Sequence, residues 1–162
     1  RSFPFLPLKN GMSNLIEKKC IPCEGGTPPL EEAKVQGYLK EVDGWELKEG
    51  DPSTPLRINK TFRFKTFREA MYFVNRVANL AEEEQHHPDI IIRYRKVTFE
   101  LTTHAIKGLS ENDFIMASKI DWLYKWEEKV EKAVLPKVFS VKILLVVVTL
   151  LSLLLLWQKF FR

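Results

Sequence analysis

Three histidines are the side chains in this 162-residue sequence best suited to moving protons, and two of them are adjacent. His86 and His87 lie within Glu82-Glu-Glu-Gln-His-His-Pro-Asp89, and His104 follows one short hairpin later. Imidazole ordinarily titrates near neutral pH, so it can act as a general acid or a general base. Glu82 precedes His86 by four residues, which puts the two on one face if the segment is helical. A carboxylate in that position can hold the imidazole in one tautomer. Gathered with a carboxylate, three imidazoles make an acid/base site. Left apart, they are surface histidines at the ends of a helix and a strand.

The remaining candidate chemistry is thinner. Cys20 and Cys23 form one Cys-x-x-Cys, and no second pair is present to complete a four-ligand structural zinc site. The pair sits among Pro22, Gly25 and Gly26, not at a strand-to-helix junction as in a redox motif. Asp113, three residues after Ser110, has the spacing of a helix-capping acid, a role as natural for it as substrate binding.

These residues need elements to position them. Residues 1–26 have no sustained period and carry several prolines and glycines, which reads as an extended or disordered arm. Residues 1–11 lack an apolar core long enough for a secretory signal, and Met12 reads as a natural start. Thr27 and Pro28 suit a helix start, and Leu30 to Val42 then reads as a helix stopped by Asp43-Gly44. Trp45 to Lys48 is a short strand. Leu56 to Phe64 alternates as a second strand, its apolar face broken once by Lys60. Thr66 to about Gln85 carries the strongest helical stripe: Phe67, Ala70, Met71, Val74, Val77, Ala78 and Ala81. Pro88 pushes its predecessor out of helical geometry, so this helix should end near His86. Ile90 to Tyr94 and Val97 to Thr103 pair as a hairpin, and a strand continued to His104 would turn that ring away from the apolar face. A last amphipathic helix starts after Ser110. The order helix-strand-strand-helix-strand-strand-helix, with short strand connections, predicts an α+β fold: a four-stranded antiparallel sheet with three helices on one face. The domain spans residues 27–135.

The stretch from Val138 to Trp157 is apolar apart from Lys142. At about 1.5 Å per residue it reaches roughly 30 Å, enough for a bilayer core. Residues 138–161 therefore read as a C-terminal transmembrane helix. Five lysines lie between Lys125 and Lys142, inclusive, against Lys159 and Arg162 beyond, which favours a cytoplasmic domain. The tail beyond Val138 has Lys142, Lys159 and Arg162 and no acid; removing those three charges from the formal +4 leaves +1. That +1 belongs to residues 1–137, and so small an excess argues against nucleic-acid binding through phosphates.

Taken together, Glu82, His86-His87-Pro88, Tyr94, His104 and Asp113 are spaced as in the pterin-4a-carbinolamine dehydratases, which the chain resembles from about Pro29 to Asp121. Gly44-Trp45, Lys96-Val97, Thr103-His104, Gly108-Leu-Ser-Glu111 and Ala117-Ser118 belong to the same resemblance. The arm and the apolar tail lie outside it. Where some members have an aromatic residue after His-His-Pro-acid, this chain has Ile90. The resemblance implies the fold just described, assembly as a homodimer or homotetramer, and dehydration of a 4a-hydroxytetrahydropterin without metal or redox cofactor. It implies His86 and His104 as the acid/base pair and His87 as a substrate-binding group. Glu82 would orient His86, with Pro88 and Asp113 in support. Relatives of this fold also act as regulatory or assembly partners, so a non-catalytic binding module is the second expectation, and a metal-dependent hydrolase built on the three histidines is a third.

Overall fold

The computed structural model of the chain describes residues 14–21, 28–50, 55–130 and 149. They fall into two compact units, Arg1–Tyr124 and Lys125–Arg162, and every residue discussed as a site belongs to the first. The first unit contains α1 (Glu32–Leu39), β1 (Glu46–Lys48), β2 (Arg57–Arg63), α2 (Phe67–Glu84), β3 (Asp89–Arg93) and β4 (Lys96–Leu101). A third helix, α3, covers residues 111–130. In the second unit the described residues, 125–130 and Thr149, are helical. The expected membrane helix over 138–161 lies outside the described residues except for Thr149; among those described, no helix is long and apolar enough to cross a membrane.

The sheet is antiparallel in the order β1-β2-β4-β3. Side chains alternate across it, so Ile58 and Phe62 of β2 and Val97, Phe99 and Leu101 of β4 share one face, and all five are buried. The α2 stripe and Phe114, Ala117, Ile120 and Leu123 of α3 complete this core. The expected α+β architecture is therefore present. Lys60, the misfit on that face, is accommodated by a local partner: its ammonium meets Asp121 Oδ1 at 2.7 Å, and Asp121 Oδ2 accepts the Trp45 indole N–H at 3.2 Å.

Two expected elements shift. The α2 stripe is Ala70, Phe73, Val74, Val77, Leu80, Ala81 and Glu84, turned away from Phe67 and Ala78. The larger Phe73 and Leu80 take the centre, while Phe67 is exposed and stacks on Tyr94 with ring centroids 6.3 Å apart. The supposed arm is docked wherever it is described: Leu15, Ile16 and Cys20 are buried in the common core. An apolar pair on a 3₁₀ turn, Asn14–Glu17, has no period to announce it, yet it buries two large side chains.

Candidate active site

The site begins where α2 stops. Gln85 takes the left-handed conformation (φ 53°), and the Gln85 and His86 N–H groups both bond the Ala81 carbonyl. This wraps up the helix end in the manner of a Schellman cap. The helix thus closes at Glu84, ahead of His86, and the four-residue spacing of Glu82 and His86 no longer places them on one face. Glu82 does not orient His86. Its Oε1 lies 2.9 Å from Nε2 of His87, and both side chains are exposed. His86 turns inward instead. Its Nε2 lies 2.7 Å from Oδ1 of Asp113, a residue with 0% exposure. Among the described residues, Asp113 is the hydrogen-bond partner of that ring and Nδ1 has none. Pro88 then carries the chain into β3.

Asp113 is presented by the turn between β4 and α3. β4 ends at Leu101, so His104 does not continue a strand; it opens a 3₁₀ turn, His104–Ile106, and is exposed. Lys107 (φ 53°) reverses the chain, and Thr103 and Gly108 pair across the base of the loop. Gly108 packs on Pro29, where an added Cβ would come within 2.8 Å. Asp113 does cap its helix, accepting the Ser110 N–H at 2.8 Å, but Oδ2 also accepts the Thr103 hydroxyl at 2.9 Å. That hydroxyl has one proton and gives it to Asp113, so in its 2.7 Å contact with Ser110 it is the Ser110 hydroxyl that donates. The carboxylate therefore satisfies a backbone donor and a hydroxyl with one oxygen and the imidazole with the other. Thr103, the residue before His104, ties the two histidine-bearing segments together. Sequence reasoning placed Thr103 only within a motif; its hydroxyl's part in the site has no local signal.

A neutral imidazole donating Nε2–H to Asp113 leaves a lone pair on Nδ1, and a protonated one is stabilised by the carboxylate. His86–Asp113 is thus an oriented acid/base pair, and His87–Glu82 is a solvent-exposed second pair. No three His, Cys, Asp or Glu side chains come together as metal ligands among the described residues. Cys20 is buried, and burial, reinforced by the Glu84 charge, pushes its thiol up to about 12. At neutral pH it is a protonated thiol, unsuited to nucleophilic or redox work. Cys23 lies outside the described residues.

Comparison with known proteins matches residues 28–123 to a family described as pterin 4 alpha carbinolamine dehydratase. A homologue named for that family in Nitrosomonas eutropha is 47% identical over 111 residues, 68% of this chain and 93% of its own. One in Rubrobacter xylanophilus is 44% identical over 112 residues, 69% of this chain and all of its own. Among solved structures, a transcriptional coactivator/pterin dehydratase from Brucella melitensis is 33% identical, with a TM-score of 0.53 over 59% of this chain and 97% of its own.

Proposed function

Because the chain belongs to the pterin 4 alpha carbinolamine dehydratase family, we propose that it dehydrates a 4a-hydroxytetrahydropterin by histidine general acid/base catalysis, as a hydro-lyase in tetrahydrobiopterin recycling. The N5 lone pair forms the C4a=N5 bond as the 4a-hydroxyl departs. His104, in its imidazolium form, gives that hydroxyl a proton so that it leaves as water. His86 takes the N5 proton on Nδ1, and exchange with solvent restores both rings. One proton is given and one taken, the products are water and the quinonoid dihydropterin, and no electron is transferred. The 2.7 Å bond from His86 to the buried Asp113 is the observation that carries this reading, because it fixes which ring nitrogen is free to accept. Asp113 takes the orienting role expected of Glu82. Glu82 instead steadies His87, which as an exposed group serves substrate binding.

The test is turnover of freshly generated 4a-hydroxytetrahydropterin. His86→Ala and His104→Ala should each lower kcat by a sizeable part of the roughly 100- to 10,000-fold that general acid/base catalysis supplies. His87→Ala should act mainly on KM. Full turnover in both folded alanine variants removes the catalytic reading and leaves a binding or regulatory module on the same fold. The proposal extends to assembly as a homodimer or homotetramer, since β1 and β3 are sheet edges able to pair. It also extends to a membrane anchor at residues 138–161, with the domain facing the cytoplasm, supported by the length and apolarity of that stretch in the sequence.

A further inference from the structure

The two elements that form the His86–Asp113 pair are bridged a second time, by residues 14–21. The Cys20 N–H donates to Glu84 Oε2 at 2.9 Å, and Glu84 stands two residues before His86 at the end of α2. The other Glu84 oxygen meets the Lys119 ammonium of α3 at 2.6 Å, both side chains nearly fully buried. Burial pushes the Glu84 carboxyl up, but the Lys119 and Cys20 hydrogen bonds outweigh it and hold it below the usual carboxylate range. On the other side, Asn112 reads the backbone of Ile21 from both directions. Its Oδ1 accepts the Ile21 N–H at 3.1 Å and its Nδ2 donates to the Ile21 carbonyl at 2.7 Å. Asn112 is 4% exposed and is the residue before Asp113. The strap's side-chain anchors, Leu15 and Ile16, lie in the core, whereas the Ile21 side chain is 70% exposed.

The strap thus grips the end of α2 through Glu84 and the start of α3 through Asn112, with the proton-transfer pair next to both grips. We propose that residues 14–21 are a positioning element for the reaction: by tying Glu84 to Asn112 they set the distance and angle of the His86–Asp113 hydrogen bond. The roles assigned to that pair rest on the proposed dehydratase function; the geometric coupling does not. Glu84 and Asn112 are positioning residues, since they act through their neighbours and not on substrate. Backbone recognition explains why the strap needs no particular side chain at Ile21.

Ile21→Pro deletes the N–H that Asn112 Oδ1 accepts and introduces its ring at an exposed position, while Ile21→Ala removes the exposed side chain and keeps the N–H. The test uses the full chain in detergent and reads two quantities: the His86 ring resonances by NMR, and kcat and KM for the 4a-hydroxypterin. Ile21→Pro should move the His86 resonances and lower kcat about tenfold or more, as misplacement of a reacting group does, with KM within about twofold. Ile21→Ala should match the parent in both. Asn112→Ala, which cuts the same grip from the other side, should repeat the Ile21→Pro result. Unmoved His86 resonances in both Ile21→Pro and Asn112→Ala overturn the proposal, whatever happens to kcat, because the strap then acts elsewhere. Moved resonances in a protein with no dehydratase turnover uphold the positioning and reject the proposed function.

Discussion

Asp113→Asn is isosteric, so packing around a fully buried side chain is kept and only charge and hydrogen-bond polarity change. The Ser110 N–H and the Thr103 hydroxyl both point at Oδ2 and need an acceptor. The amide oxygen must therefore take that place, since an amide NH2 cannot accept. The NH2 group then falls where Oδ1 was, 2.7 Å from His86 Nε2 in the parent, and has to donate. His86 is forced into the tautomer with its proton on Nδ1, and the nitrogen assigned to take the N5 proton no longer has a lone pair. The rate should fall by about 100- to 10,000-fold in kcat, the span a general base supplies, with little change in KM. Hydrogen bonds to a charged group contribute about 1 kcal/mol more than neutral ones. Three bonds lose that increment, and relief from burying a charge returns part of it, so the net cost is about 1–3 kcal/mol. For a domain of this size each kcal/mol is roughly 4–8 °C of melting temperature. Stopped-flow dehydration and a thermal melt on one preparation measure both effects. A variant that melts lower yet turns over within twofold of the parent would show Asp113 to be a helix cap alone, and the tautomer argument would be wrong.

Three further outcomes follow from other parts of the molecule. Gly108→Ala sets a Cβ 2.8 Å from Pro29 and should cost about 1–3 kcal/mol, as overpacking does; an unchanged urea midpoint would mean that the Pro29 segment simply moves aside. The folded chain keeps the Cys20 proton up to about pH 12, whereas a free thiol loses it near 9.0. Stability is then intact below the lower value and declines as pH rises across the interval. Melts of a Cys23→Ser chain should show this decline and a Cys20→Ala/Cys23→Ser chain should show less of it; equal slopes would reject the assignment. Carbonate washing should leave the full chain in membranes and release a chain ending at Pro136, and a full chain that washes off would dispose of the anchor.

Much of the fold could be read before any coordinates because its period changes are clean. β4 alternates through Val97, Phe99 and Leu101, and α2 repeats at helical spacing, so both elements were legible to within a few residues. The pairing of the candidate residues was not legible. Glu82 and His86 look like helical neighbours only while the helix is assumed to continue. The left-handed turn at Gln85 ends it, and glutamine gives no warning of such a turn as glycine would. Asp113 was visible as a cap from its spacing to Ser110, but its bond to His86 joins residues 27 apart and exists only once α2 and α3 pack. The docking of Leu15 to Ile21 is likewise hidden, because two buried side chains on a 3₁₀ turn make no period and the grips on Cys20 and Ile21 use backbone groups, which every sequence has.

The strap also has a place in time. It is translated before every element it grips: its bond partner Glu84 comes 64 residues after Cys20, and Asn112 comes 91 residues after Ile21. At synthesis rates of roughly 5–20 residues per second, about 5–18 seconds pass between the making of Ile21 and of Asn112. Within that interval β2 and α2 are made, but the core that Leu15, Ile16 and Cys20 enter stays incomplete until α3 follows. The strap, made before the elements it grips, is therefore among the last parts of the domain to dock, once α3 has emerged.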